Sequence, residues 1–569
     1  MSPLIAVPEH IAQARMVEGL RPEFPWRSFA DFFKSRVYDR TLANRPFLTY
    51  CDDDRHLRYT YTYAEFGTVV QQAAAFLHTG LGLCPGERLA TILFNHDVTV
   101  VLYFAAWLSG LTVVPINAEE DTEKKRFILD HSGASAVCCW DAYADEVRDL
   151  QPKLPALRHV IAVNDHGFVD GTNTVARGEA HPAASGQAAP APGLDGEALI
   201  VYTSGTTGPP KGVVLTAENL LTDADAIADW HGFGPRDRLM CVLPIHHVNG
   251  TVVTLVTPFY CKGAVVLNRR FKSGTFWRRL HDEQVTAVSV VPTLLEFLLE
   301  ADEDLSPYRL KSFSGFLCGA GPLLKDTAAR FEDRFGFPIR HGYGLSETTC
   351  YSSFLPTSLP GGEHRHWLRD FEFPSIGIPL RHNHMAILDG EGREVPETAR
   401  GEICIRGGTV CAGYFKRDDA NETAFRWGWF RSGDEGFVVR DERGRPFFFI
   451  SGRLKELIIR GGVNISPLEI DDALKGHPSV QFAMAVPFEN RYYGEEIAVY
   501  VVPRPGMAPS EKALREHCRR TLPFFKQPKV IVFGEDVPYT STGKPRRLEL
   551  KTRLASLLSA HRDRQFTDE

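Results

Sequence analysis

Residues 202–212 read Tyr-Thr-Ser-Gly-Thr-Thr-Gly-Pro-Pro-Lys-Gly, which packs three glycines, four small hydroxyl residues and a lysine into one short stretch. Glycines such as Gly205 and Gly208 let a backbone approach a ligand and turn its N–H groups inward, which makes a concave anion site. The hydroxyls of Thr203, Ser204, Thr206 and Thr207 can donate to phosphate oxygens, and Lys211 adds a positive charge. The apolar run Ala198-Leu-Ile-Val-Tyr202 leads in and Val213-Val-Leu215 leads out. The expected layout is strand, loop, strand, with a polyphosphate grip at the turn. A P-loop is excluded. It needs Gly-x-x-x-x-Gly-Lys-Ser/Thr opening a helix, whereas Pro210 precedes Lys211, Gly212 follows it and β-branched residues come next.

The elements around this loop alternate. Residues 64–79 have a helical pattern and residues 88–93 a strand pattern. Residues 177–196 are rich in Ala, Pro and Gly and suit a surface linker. Strand-like runs at 264–267 and 287–291 follow the phosphate loop. Alternating strands and helices favour mainly parallel sheets covered by helices. The character changes near 449–456, where Phe447-Phe-Phe-Ile450 runs into Ser451-Gly-Arg-Leu-Lys455 and then the turn Arg460-Gly-Gly462. The remainder has its own apolar alternation, Ile497-Ala-Val-Tyr-Val-Val502. The expected division is a large α/β N-terminal domain over 1–452 and a small α+β C-terminal domain over 457–569, joined through 453–456 at Lys455.

Bulk composition narrows the class. A chain of 569 residues exceeds what one core usually serves; length alone suggests roughly four domain-sized units, fewer if they are large. The net charge of -7 suggests neither a nucleic-acid surface nor a polybasic membrane anchor. The basic run at 515–520 is expected on a solvated helix face. Eleven cysteines lack CxxC pairing, which suits buried small hydrophobes in a reducing cytoplasm. No HExxH spacing occurs among the histidines. Residues 98–116 carry no charge, but Ser109-Gly110 interrupts them and Pro115 closes them. A buried helix followed by a buried strand explains this run better than an integral membrane segment.

The phosphate loop, Tyr61-Thr-Tyr-Ala-Glu-Phe66, Gly110-Leu-Thr-Val-Val-Pro-Ile-Asn117, Gly342-Tyr-Gly-Leu-Ser-Glu-Thr348, Gly428-Trp-Phe-Arg-Ser-Gly-Asp434 and Tyr539-Thr-Ser-Thr-Gly-Lys-Pro-Arg546 stand in order along the chain. Together the string resembles the adenylate-forming superfamily: acyl-CoA synthetases, peptide-synthetase adenylation domains and beetle luciferases. The resemblance spans nearly the whole chain. It implies that Tyr343 lies against the adenine, where an aromatic face suits a purine, with Gly319, Ala320 and Gly321 edging that pocket and Gly342, Gly344 and Ser346 beside it. It implies that Glu347 holds Mg²⁺, a hard cation that favours carboxylate and phosphate oxygens. Ser346 and Glu347 are equally good first-turn residues of a helix. Asp434 falls where the family binds the ribose hydroxyls, and Arg453 is the matching basic contact. Lys544 would bridge the attacking carboxylate and the α-phosphate of ATP, where a fixed ammonium stabilises developing charge. A solvated loop lysine is its plain alternative.

Two half-reactions follow from the resemblance. A carboxylic acid attacks ATP to give acyl-AMP and pyrophosphate, and a thiol then displaces AMP. The resemblance implies that the join at 453–456 is a hinge and the small domain mobile. That domain would turn about Lys455 between the two steps, withdrawing Lys544 and bringing Gly461 and Gly462 over a pantetheine tunnel. His247 matches a position lining the acyl channel. Val248 stands where amino-acid-activating relatives carry an Asp, so a substrate ammonium would face valine at high cost. With Val291 and Cys318 it makes a mostly apolar wall, which suits a fatty, aryl or other hydrophobic acid. The segment at 460–469 favours CoA as acceptor; an acyl carrier protein is the alternative. A luciferase-like oxygenase sharing the adenylation step is a further one. Residues 356–373 exceed the family's usual connection and are expected to be a plain loop, the alternative being a segment that shapes the acid entrance.

Overall fold

A computed structural model describes residues 7–20, 22–165, 167–170, 173–176, 192–203, 209–540 and 543–566. The linker expected at 177–196 lies outside these residues up to 191, as do Ser204, Gly205, Thr206, Thr207 and Gly208 of the phosphate loop.

Three sheets organise the chain: one of 13 strands, one of 8 and one of 5. In the first, parallel strands such as Arg238–Cys241, Ala264–Asn268 and Ala287–Val290 lie side by side. In the second, Arg88–Leu93 pairs in parallel with Thr112–Asn117. Buried on both faces, such strands are continuous apolar runs, and helices cover them. The fold is the expected α/β one, with a difference in the later part. From Ser375 to Arg453 the first sheet continues through antiparallel strands, ending in Phe430–Arg440 paired with Pro446–Arg453. Short connections without helices dictate that pairing.

Residues 98–116 resolve into the helix Asp97–Leu108 and the strand Thr112–Asn117. No helix among the described residues is long and apolar enough to cross a membrane. The early motif is a capped helix start: Thr62 Oγ1 accepts from Glu65 N at 3.2 Å, and Glu65 Oε2 accepts from Thr62 N at 2.8 Å. All cysteines in the described residues are free, and most are buried.

Residues 356–373 depart from expectation. They contain the helix Gly361–Arg369. Its helix-forming signal is weak, since two glycines open it, and tertiary contacts hold it. Trp367 stacks on Phe447 with centroids 3.7 Å apart and rings 1° from parallel. His364 and Arg369 both reach Glu332, at 2.8 and 2.9 Å. The helix therefore lies over the strand Pro446–Arg453.

That strand ends at Arg453. A turn over 454–456 follows, then a small five-stranded sheet built from Ile458–Arg460, Val463–Ile465, Val480–Asn490, Gly494–Pro503 and Val530–Phe533. The helices Pro467–Lys475, Glu511–Thr521 and Arg547–Ser559 accompany it. Its core holds Ile458, Ile470, Ile497, Val499 and Leu514, all buried. The basic run at 515–520 lies on Glu511–Thr521, which buries Leu514 and Cys518 and leaves Arg515 paired with Glu511.

Candidate active site

The phosphate loop is framed as its flanks demand. Glu197–Thr203 and Lys211–Thr216 pair antiparallel, with Thr203 opposite Lys211 and Tyr202 opposite Gly212. Both ends of the loop are therefore fixed to one rigid ladder, and Lys211 and Thr203 face each other across its mouth.

Three residues from distant parts of the chain meet beside it. The hydroxyl of Tyr343 donates to Asp434 Oδ2 at 2.6 Å, and Arg453 Nε lies 2.8 Å from Asp434 Oδ1. Register explains the second contact, because Asp434 and Arg453 are directly opposite in their antiparallel pair. Ser432 Oγ accepts from Asp434 N at 3.0 Å. Asp434 is thus aimed from both sides and is 1% exposed. The Asp434 carboxylate holds the Arg453 guanidinium more firmly protonated than usual. Burial, aided by Asp434, keeps the Tyr343 phenol neutral.

Glu347 follows the strand Ile339–Tyr343 on the short 3₁₀ turn Ser346–Thr348, so the helix-start reading of its types and the ligand reading coexist. Its Oε1 accepts from Tyr414 Oη at 2.8 Å, and the Lys211 ammonium lies over the Tyr414 ring, 4.7 Å from its centroid. Sequence reasoning missed Tyr414. Its only signal is a tyrosine in an apolar, glycine-flanked stretch, Cys411-Ala-Gly-Tyr-Phe415, just ahead of the charged run Lys416-Arg-Asp-Asp419. Among the described residues, no group of three or more His, Cys, Asp or Glu side chains could hold a metal. One fixed carboxylate suits a cation that arrives on nucleotide phosphates, which is how Mg²⁺ is commonly bound. The residues present therefore fit Mg²⁺ at Glu347. Tyr414→Phe deletes a hydrogen bond to a charged acceptor, so half-maximal turnover should need about tenfold more Mg²⁺. Titration of initial rate against Mg²⁺ checks this; an unchanged midpoint removes Tyr414 as the residue that aims Glu347.

Lys544 comes from the other side. It sits on a tight turn where Thr540 Oγ1 accepts from Lys544 N at 3.0 Å and Gly543, at φ 77°, closes the loop. Thr293 Oγ1 donates to Gly543 O at 2.6 Å, tying this turn to the large domain. The side chain passes Gly321, where an added Cβ would lie 4.0 Å from Lys544 Cγ. Burial, aided by Arg453 and opposed by Asp434 and Glu347, pushes the ammonium down to about 8. Lys544 therefore belongs to the same electrostatic cluster as Asp434, Arg453 and Glu347. A lysine titrating near 8 is charged below that pH and neutral above it. The kcat/KM for pyrophosphate release, which reports the free enzyme, should fall above about pH 8. Lys544→Arg keeps its charge and should lose that limb; a limb surviving the substitution belongs to another group.

The glycines of the two nucleotide strings have a packing reason. A Cβ at Gly344 would meet Cys350 O at 1.8 Å, one at Gly342 the Phe354 ring at 2.4 Å, and one at Gly319 the Tyr351 ring at 2.7 Å. Ala320 between Gly319 and Gly321 adopts φ 61°, a left-handed conformation costly for alanine.

Val248, Val291 and Cys318, expected to wall the acyl pocket, are all buried; Val291 and Cys318 share one apolar cluster and Val248 lies in another. The rings of His246 and His247 lie 4.5 Å apart. Burial lowers both, His246 to about 4 and His247 well below its ordinary value, with His246 and Lys544 adding to the latter. His247 is a neutral imidazole at neutral pH and can position an acid without adding charge. A buried polar chain stands next in sequence to Val248 and close to Val291: Ser289 Oγ donates to Asn249 Oδ1 at 2.7 Å and Asn249 Nδ2 donates to Tyr351 Oη at 3.2 Å. Gly461 and Gly462 are elsewhere. They form the exposed two-residue turn between Ile458–Arg460 and Val463–Ile465, with φ of 58° and 82° as a type I′ hairpin requires. Lys455 is exposed in the turn over 454–456.

A strand-framed phosphate loop, an aimed carboxylate pair and a lysine delivered from a separate small domain define an adenylate-forming enzyme. The chain belongs to the AMP-binding enzyme family. The family profile matches residues 36–415, and that of the AMP-binding enzyme C-terminal domain matches 469–544. It is an AMP-forming acid–thiol ligase. It is 36% identical to the sulfoacetate–CoA ligase of Cupriavidus necator, over 89% of this chain and 94% of that one. It is 31% identical to the oxalate–CoA ligase of Arabidopsis thaliana, over 86% and 93%. ATP-bound MatB from Rhodopseudomonas palustris superposes with a TM-score of 0.79 at 25% identity, covering 93% of this chain and 99% of that one. The o-succinylbenzoate CoA synthetase of Bacillus subtilis, solved with its acyl-adenylate, gives 0.75 at 26% identity, covering 91% and 97%.

Proposed function

We propose that this chain converts a carboxylic acid with an apolar body to its acyl-AMP and then to its CoA thioester. The observation that carries the reading is the delivery of Lys544 into the cluster of Asp434, Arg453 and Glu347. A carboxylate oxygen of the acid attacks the α-phosphorus of ATP. The bond from that phosphorus to the pyrophosphate oxygen breaks, and pyrophosphate leaves. Lys544 faces the charge that builds on the phosphoryl oxygens. Lys211 and the loop at 203–208 hold the leaving phosphates. Asp434, with one oxygen on Tyr343 and the other on Arg453, keeps acceptor capacity for the ribose hydroxyls. Glu347, aimed by Tyr414, would hold Mg²⁺, which would supply charge neutralisation to the phosphates. The CoA thiol then attacks the acyl carbonyl, and AMP departs with the bonding pair. For this the small domain turns about 454–456, Lys544 withdraws, and the Gly461–Gly462 turn faces the acceptor. An acyl carrier protein is the alternative acceptor.

A second reading of the acid is favoured by a specific observation. The Ser289–Asn249–Tyr351 chain and the neutral His246 put buried hydrogen-bonding groups within two residues of Val248 and Val291 in the sequence. A short acid with a second polar group would use them, and sulfoacetate and oxalate, named for two relatives, have that form. The test is pyrophosphate release with ATP and Mg²⁺ over fatty, aryl, short dicarboxylic, sulfonated and amino acids, with and without CoA, products read by mass. Thioesters of hydrophobic acids support the first reading and thioesters of short diacids the second. Acyl-AMP inert to CoA points to a carrier protein. Silence with every acid overturns the proposal.

A further inference from the structure

The helix Pro292–Ala301 carries three of the polar contacts that seat the small domain on the large one. Thr293, Glu296 and Glu300 are spaced three and four residues apart, which puts them on one face of that helix. Each meets a different part of the small domain. Thr293 Oγ1 donates to Gly543 O at 2.6 Å, beside Lys544. Lys475 Nζ lies 2.7 Å from Glu296 Oε1. Gln481 Nε2 donates to Glu300 Oε1 at 2.7 Å. The ion pair is the most enclosed of the three. Lys475, the last residue of Pro467–Lys475, is 8% exposed, and Glu296 is braced by Thr327 and by Arg330 at 3.1 Å. Two other contacts across the boundary are longer: Asp326 N to Asp472 Oδ1 at 3.4 Å and Lys526 to Glu372 at 3.8 Å.

Between these points the two parts are not close-packed. A cavity of about 220 Å³ separates them, with Phe297, Leu324, Leu468, Phe482 and Met484 on its walls. Protein cores leave few voids larger than a water molecule, so along this helix the polar contacts define the seating, while Leu468 packs on the large-domain core to one side. The helix also begins at the acyl wall: Val291 Cγ2 lies 3.7 Å from where a Cβ of Gly543 would stand.

We propose that the Thr293–Glu296–Glu300 face is a docking rail, and that Lys475 and Gln481 are positioning residues whose engagement sets how often Lys544 occupies the site. The inference rests on the two-step reading above. The rail holds the acyl-AMP-forming arrangement and must release before the thiol step, so breaking it slows the first half-reaction and spares the second. Because the rail starts at the acyl wall, a bound acid steadies it.

The experiment separates the half-reactions and reads the domain arrangement directly. Lys475→Met, Glu296→Gln and Gln481→Ala are compared with wild type and Lys475→Arg for pyrophosphate exchange, for thioester formation from supplied acyl-AMP and CoA, and for the distance between a dye on each domain. Lys475→Met should lower exchange about tenfold by shifting the population, leave the thiol step at or above its wild-type rate and broaden the distance distribution. Lys475→Arg should restore exchange. Equal loss of both half-reactions, or an unchanged distance distribution in Lys475→Met, overturns the rail. Distances that respond while wild type forms acyl-AMP from no acid would leave the rail standing and remove the two-step reading.

Discussion

Lys544→Ala should abolish most acyl-AMP formation while leaving the thiol step intact. The loss should be on the order of 10²–10³ in rate, the usual effect of removing one preorganised charge or donor from a developing oxyanion. The reason is geometric. Lys544 is carried by the small domain, enters beside Gly321 and shares a cluster with Asp434, Arg453 and Glu347. Alanine deletes the ammonium and leaves the turn closed by Thr540 and the Thr293 contact to Gly543, both made by backbone atoms of the turn. Supplied acyl-AMP needs no ammonium there, because the α-phosphorus has already been attacked. Pyrophosphate exchange measures the first step and thioester formation from acyl-AMP the second. If both fall together, Lys544 is a structural residue of the domain contact.

Lys455→Pro should produce the mirror image. Lys455 is exposed in the turn over 454–456, after the strand Pro446–Arg453 and before the small sheet. Gly433 O accepts from Leu454 N at 2.9 Å and Arg453 O accepts from Glu456 N at 2.8 Å, so the residues on either side are pinned. Proline fixes φ near −65° and also restricts the residue before it. With the pivot torsion locked in one setting, the adenylating arrangement survives and the second is denied. Thioester formation should fall about 100-fold, the scale on which misplaced reacting groups lose rate, with pyrophosphate exchange within a few-fold of wild type. Thioester kinetics unchanged by the substitution would place the pivot elsewhere.

Some of this was legible in the residues and some was not. The strands at 88–93, 264–268 and 287–290 declare themselves because they are buried on both faces, so their apolar runs are unbroken. The helix Gly361–Arg369 does not, because Gly361, Gly362 and its histidines offer little propensity; Trp367 on Phe447 and His364 on Glu332 decide it, across contacts no local pattern encodes. Similarly, Glu347, Asp434 and Lys544 stand in strings whose types suggest their chemistry. Tyr414 aims Glu347 from 67 residues away, and Lys475 meets Glu296 from a different domain. Such partners are specified by three-dimensional closeness alone. The glycines beside Tyr343 suggest ligand approach, yet Cys350, Phe354 and Tyr351 already fill the space their side chains would need.

The helix over the strand Pro446–Arg453 has a mechanical consequence. Trp367 stacks on Phe447, Phe371 packs tilted against Phe449, and Phe449 stacks in turn on Phe437 at 4.7 Å. The first half of the last strand of the large domain is thereby splinted by aromatic rings. In the proposed turn about 454–456, this bracing makes the strand a stiff axle and leaves the three residues after it as the joint, so Lys544 would follow one reproducible arc.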